Sequence, residues 1–174
     1  MSLAPTGSLD AHKIFEHAGK FQWTYEHLQN FDHVSLEEMK AYAADPGLIL
    51  SALASELYLK CLLAIFSVPR HQFGHVHDLH ELFKKLPPEI QDRVSALWDH
   101  DVWQQSKRDF LGDLEGTVKE NIPRHLAALL HFGANTFVDL RYVYEKPRNI
   151  NNIIVELPSI LRKVILEIQP DWNR

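Results

Sequence analysis

The sequence PGLILSALASELYLKCLLAIF, residues 46–66, decides the fold class because it is apolar almost all round. Its polar residues are spaced by four, one and four positions, which places them on one stripe of a helix: Ser51, Ser55, Glu56 and Lys60. A helix of this kind lies in the middle of a bundle. Glu56 and Lys60 are therefore predicted near the interior, either as an ion pair at the bundle's edge or as the lining of a polar site.

Amphipathic helices are predicted on both sides of this central helix. The apolar face of the first one repeats at helical spacing through Ile14, Ala18, Phe21, Tyr25 and Leu28. Further helices are predicted after four capping or proline positions, namely Asp78, Pro88, Pro123 and Pro158. Residues 153–155 are β-branched, which favours a short strand as the alternative to a helix in that stretch.

Short connections make neighbouring helices antiparallel, which predicts an all-α, up-and-down bundle of four to five main helices. The length of 174 residues fits a single domain over residues 1–174. Its core is predicted over about 9–146, with a C-terminal helix or extension over 150–168.

The charge, the cysteine count and the apolar segments limit the partners and the kinds of site that this protein is expected to have. The net charge of −5 gives no long-range attraction to a phosphate backbone, although a local basic patch remains compatible with it. The lone cysteine, Cys61, excludes an internal disulfide and a cysteine-based metal site. The N-terminus has no signal-peptide pattern, and residues 48–66 are too polar for a membrane span, so we expect a cytoplasmic protein without a membrane partner.

Three short motifs carry a resemblance to a known family. They are ASELYLKCLL at 54–63, HDLHELF at 77–83 and FVDLRYVYE at 137–145. In this order they resemble the motifs of HEPN-like proteins, which fold as bundles of four or five helices. The resemblance implies a homodimer tied to nucleotides or RNA, and a nucleotidyltransferase as a further partner protein. It implies no cofactor.

The resemblance also bears on ribonuclease activity. Active HEPN ribonucleases carry an arginine and, shortly after it, a histidine, which bind phosphate and transfer a proton. The matching arginine is Arg141, but no histidine follows it. Of the other pairs with suitable spacing, Arg124 and His131 lie seven positions apart on one predicted helical face. The remaining pairs are Arg93 with His100, and Arg70 with His75 or His77.

Histidines at 71, 75, 77 and 80, with Asp78 among them, raise a metal-site hypothesis. The His77-Asp78 doublet resembles that of the all-helical HD phosphohydrolases, and a complete site would recruit residues such as His33 and Asp139. The alternative is that His77 and Asp78 cap a helix and anchor a turn. Adventitious metal binding is predicted at His71 and His75 rather than a catalytic metal.

The final expectation is a shared polar cluster. Charged residues on a buried helix need opposite partners. We therefore predict that Glu56 pairs with Arg141 and Lys60 with Glu145, with Tyr142 beside them and His77 and Asp78 near one end. The expected function is a binding or interaction module for nucleotide or RNA. The alternatives are a ribonuclease using Arg124 and His131, or a metal-dependent phosphohydrolase using His77 and Asp78.

Overall fold

The computed structural model describes residues 9–28, 44–103, 125–132 and 155–173, and every structural statement below concerns those residues. They are 81% helical and include no strand, which confirms the all-α prediction. The α-helices are α1 Ala11–Leu28, α2 Ala44–Ile65, α3 Leu79–Lys84, α4 Pro88–Trp98, α5 Leu126–Phe132 and α6 Leu157–Ile168. Short 3-10 turns cover Arg70–Gln72 and Pro170–Trp172, and Asp99–Trp103 forms one π-helical turn.

Helix α2 is the central helix, and it begins two residues before the predicted start and ends one residue before the predicted end. It packs against α1, α3 and α6. Its residues Tyr58, Leu59, Leu62 and Leu63 are completely buried, and each such leucine contributes roughly 1.5–3 kcal/mol relative to an exposed one. Among the described residues only this helix is long and apolar enough to cross a membrane, but its burial indicates a core helix.

Helix α2 ends in a left-handed residue that is not glycine. Ser67 has a φ of 58° and donates its N–H to the carbonyl of Ala64 at 3.0 Å. The N–H of Val68 reaches back to the carbonyl of Leu63 at 2.9 Å. These bonds satisfy carbonyls that the helix end leaves open, and they turn the chain toward the loop that precedes α3.

Helix α1 buries a slightly different face from the predicted one. Its buried residues are Phe15, Ala18, Gln22 and Tyr25, whereas Ile14, Phe21 and Leu28 are half-buried. The shift follows from Gln22, which is polar but points inward because Tyr58 of α2 donates a hydrogen bond to it. Asp10 caps this helix, since its carboxylate accepts the N–H of Lys13 at 3.2 Å.

The C-terminal helix α6 belongs to the same core as the other helices. Its apolar face contacts α2 and α4, and Leu157, Leu161 and Ile165 are completely buried. Val155, where a strand was the alternative, lies in a turn. A capping-box pattern at 35–38 predicts a short helical element, and the apolar spacing after Pro123 predicts a helix to about 145. The first of these, most of the second, and residues 153 and 154 lie outside the described residues.

Candidate functional site

The first candidate site is the polar cluster formed by Glu56, Lys60 and His77. Lys60 donates from Nζ to Oε1 of Glu56 at 2.8 Å, across one turn of α2. His77 donates from Nδ1 to the same carboxylate, at 3.1 Å to Oε1 and 3.2 Å to Oε2. The two α2 side chains are nearly buried, with exposed fractions of 6% for Glu56 and 12% for Lys60, while His77 is 58% exposed.

This cluster joins α2 to the loop before α3. Besides Glu56, the Lys60 ammonium contacts the carbonyl of Gly74 at 3.2 Å. A buried carboxylate needs a counter-charge and hydrogen-bond donors, and Lys60 and His77 supply both. The geometry therefore fixes the position of the 74–77 loop on the central helix, and it explains why charged residues occur on an otherwise apolar helix.

Asp78 acts as the cap of α3. Its Oδ1 accepts the N–H of Glu81 at 2.9 Å, which satisfies one of the first free N–H groups of that helix. His77 faces Glu56 and Asp78 faces its own helix, so both have structural contacts of the kind considered as the alternative to a metal site. The described residues include no group of three or more histidine, cysteine or acidic side chains placed to hold a metal ion, and both His71 and His75 are exposed.

His131 of α5 lies against His80 of α3. Their ring centroids are 5.1 Å apart and the rings meet edge to face. Nδ1 of His80 is buried and has no hydrogen-bond partner within the described part of the chain. Arg124, the predicted partner of His131, lies outside the described residues, as do Arg141, Tyr142, Glu145, His33 and Asp139. The predicted pairs Glu56–Arg141 and Lys60–Glu145 thus remain predictions.

Arg93 and His100 occupy an ion-pair network between α4, the π-helical turn and α6. Arg93 binds Glu167 through two hydrogen bonds of 2.6 and 2.8 Å. Asp101 accepts from His100 at 2.7 Å and from Lys163 at 3.0 Å. These bonds hold the pKa of the Asp101 carboxyl below its usual range, His100 contributing most. Arg93, the arginine of the predicted Arg93–His100 pair, is thus bound by the carboxylate of Glu167 on α6.

The second candidate site is a cleft of about 760 Å³, which we call the terminal cleft because α1, α6 and the final 3-10 turn enclose it. Of its lining residues the sequence singles out Trp23 alone, as an aromatic ring able to stack on bases. Its lining residues mix aromatic, charged and polar side chains: His12, Phe15, Glu16, Gly19, Gln22, Trp23, Glu26, Arg162, Asp171 and Trp172.

A chain of buried and partly buried hydrogen bonds underlies the terminal cleft. The hydroxyl of Tyr58 donates to Oε1 of Gln22 at 2.8 Å. Nε2 of Gln22 then donates to Glu26 at 2.9 Å and to Ser159 at 3.1 Å. Burial raises the pKa of the Tyr58 hydroxyl far above its usual value, so the hydroxyl remains a donor at neutral pH. The chain connects three helices, and it orients the amide of Gln22 at the wall of the cleft.

Aromatic rings form the rest of the cleft wall. Trp172 lies against Phe15, with ring centroids 5.4 Å apart, and the guanidinium of Arg162 sits 5.7 Å from the centroid of the same Phe15 ring. Trp23 is a large hydrophobic residue that is exposed, with 60% of its surface accessible to solvent. It stacks on His27 at 3.7 Å between centroids. The arrangement offers ring faces and charged groups to a bound molecule.

The comparisons with known proteins do not assign a relative. No protein-family model, curated protein or solved structure matches this chain. The resemblance of the three motifs to HEPN-like proteins is therefore an interpretation of the sequence, and the fold is described as an all-α bundle.

Proposed function

We propose that this protein is a binding module of the HEPN-like kind that receives its ligand in the terminal cleft. The observation that carries the proposal is the cleft itself, whose volume of about 760 Å³ lies within the usual range for small-molecule sites. Such sites combine apolar walls with a few oriented polar groups. Phe15 and Trp172 supply the apolar wall, and the amide of Gln22 is held by hydrogen bonds on both of its ends.

Recognition fits these contacts better than catalysis. The Tyr58 and Gln22 side chains satisfy each other, so they form a rigid wall behind the aromatic rings rather than a pair of reactive groups. The two enzymatic alternatives remain predictions from the sequence. The ribonuclease requires Arg124, which is outside the described residues, and the phosphohydrolase requires His77 and Asp78, which have structural contacts.

A nucleotide or RNA ligand is the second candidate, and the exposure of Trp23 is the observation that favours it. Exposed aromatic rings stack on bases and contribute roughly 1–3 kcal/mol per base. The same exposed ring also suits the homodimer that the resemblance implies, because aromatic residues are enriched at protein interfaces. Light scattering at high micromolar concentration tests the assembly, and a monomer there would contradict it.

Nuclear magnetic resonance tests the use of the cleft directly. We would titrate the full chain with butylguanidinium, adenosine monophosphate and hexauridylate, and follow the indole N–H signal of Trp23. At least one probe should shift that signal in the native protein. The variant Gly19→Leu, which places a side chain in the cleft, should lose the shift, whereas Thr24→Leu on the same helix should keep it. Failure of all three probes at 10 mM (about the weakest binding of interest, near −3 kcal/mol) would refute the proposed function.

A further inference from the structure

The charges of the terminal cleft define the class of ligand more narrowly, an inference that rests on the proposed function. Three carboxylates line it, from Glu16, Glu26 and Asp171, against one guanidinium, from Arg162, so the described lining has a formal charge of −2 with His12 neutral. A phosphate group entering the cleft meets like charge, and a cation meets opposite charge.

Arg162, the guanidinium of the described lining, already interacts with other side chains of the protein. Arg162 lies over the ring of the buried Phe15, and its positive charge partly offsets the rise in pKa that burial gives the Tyr58 hydroxyl. Arg162 is half-buried, whereas the three carboxylates belong to exposed residues. The exposed charges of the described lining are therefore negative.

Aromatic rings line the same cleft as the carboxylates. Trp23 is largely exposed, and Trp172 is half-buried beside Asp171 in the chain. Glu16 lies one residue from Phe15, and within the described residues it has no ion pair or hydrogen bond. Tryptophan faces attract cations through the ring quadrupole, and this attraction adds to that of a nearby carboxylate.

We propose that the terminal cleft binds an organic cation, namely a guanidinium or alkylammonium group, between the carboxylate of Glu16 and the rings of Trp23 and Trp172. The chemistry is that of an arginine or lysine side chain on a partner polypeptide, or of a free small amine. Both sources present the same flat or tetrahedral cation at the end of an apolar stem, and the stem packs on the aromatic wall.

The test compares two probes of nearly the same shape, the cationic butylguanidinium and the neutral butylurea, by the same Trp23 indole signal. Butylguanidinium should bind at least fivefold more tightly than butylurea, and its affinity should fall as salt is raised, because exposed charges are screened. Equal affinity for the two probes would overturn the cation proposal. Tighter binding of adenosine monophosphate than of butylguanidinium would also overturn it, while leaving the cleft as the ligand site.

Two variants measure separately what the Glu16 carboxylate and the Trp23 ring contribute to the affinity. Glu16→Gln should weaken butylguanidinium roughly two- to fivefold, with Glu89→Gln on α4 as the matched exposed control that leaves it unchanged. For Trp23→Leu, which removes the indole signal, the Trp172 indole serves as the reporter, and the loss should be about three- to tenfold. An unchanged affinity in both variants would refute the assigned position of the cation.

A capped peptide distinguishes the two sources of the cation. Acetyl-Gly-Arg-Gly-amide carries the same guanidinium on a polypeptide backbone. If it binds more tightly than butylguanidinium, the partner is a polypeptide, and if it binds more weakly, the ligand is a free small cation. Absence of binding by every probe, including the nucleotide, would refute the proposed function rather than the choice of ligand.

Discussion

The polar cluster on α2 and the terminal cleft both contain charged groups beside aromatic or apolar helices, but they differ in what surrounds the charge. In the cluster, Glu56 is nearly buried and meets two donors within 3.2 Å. In the cleft, the exposed Glu16 borders an open volume of about 760 Å³ and has no ion pair or hydrogen bond within the described residues. A neutralised, enclosed charge stabilises a fold, whereas a charge facing an open volume is available to a ligand.

The position of a charged residue on a helix therefore does not by itself indicate a binding site. Glu56 and Lys60 were the natural candidates because they interrupt an apolar helix. Their contacts join the helix to the loop through Gly74 and His77. Gln22, which no motif singled out, supplies the oriented amide of the cleft. The predictions below test the contrast between a structural cluster and an open cleft.

The largest effect is expected for Lys60→Met. This change leaves the buried Glu56 carboxylate with His77 alone, and breaking a buried ion pair costs about 3–5 kcal/mol of the free energy of unfolding. Urea denaturation measures it. The matched control is Lys84→Met, which breaks the exposed pair with Glu81 and should cost less than about 1 kcal/mol. Equal losses in the free energy of unfolding for the two variants would show that the cluster is solvated. The cluster would then again be a candidate binding site.

The sequence predicts the central helix and half of the cluster well for local reasons. Its apolar residues repeat over 46–66, and the observed helix is Ala44–Ile65. The contact between Glu56 and Lys60 follows from a spacing of four on that helix. The sequence placed His77 only near one end of the polar cluster. Its contact with Glu56 depends on the turns of the loop before α3, and no short motif specifies the geometry of those turns.

The terminal cleft was not predicted because its walls come from the two ends of the chain. Gln22 and Ser159, which hydrogen-bond at its base, are 137 positions apart in the sequence. Helical periodicity identifies which face of each helix is apolar, but it does not state which helices become neighbours. One signal was present, since Gln22 lies between Ala18 and Tyr25 on the buried face of α1, where a polar residue needs a partner.

A smaller effect is expected for Gly74→Ala in the loop of the cluster. An added Cβ would lie 2.9 Å from the backbone oxygen of Arg70 and 3.3 Å from its Cγ. That oxygen cannot retreat freely, because it accepts the N–H groups of Phe73 and Gly74. We expect a loss of about 1–3 kcal/mol in the free energy of unfolding.

A double variant sharpens the test of the cluster. If Gly74→Ala moves its carbonyl away from Lys60, the loss in Gly74→Ala combined with Lys60→Met should be smaller than the sum of the two single losses. Strict additivity in urea denaturation would show that the Lys60–Gly74 hydrogen bond contributes nothing to the position of the loop.

The smallest effect, with the opposite sign, is expected for Gly19→Ala in the terminal cleft. Gly19 lies inside α1, where glycine costs about 0.5–1 kcal/mol relative to alanine. An added Cβ would lie 3.7 Å from the Tyr58 hydroxyl oxygen, an ordinary contact distance, so the helix gains stability without displacing the hydrogen bond to Gln22. Thermal unfolding should show a higher midpoint. The two glycine variants thus shift stability in opposite directions, because one site is packed against backbone and the other borders an open volume. A destabilised Gly19→Ala would mean that α1 and α2 pack too closely for a methyl group, and that the cleft is narrower at this point than the ligand proposal requires.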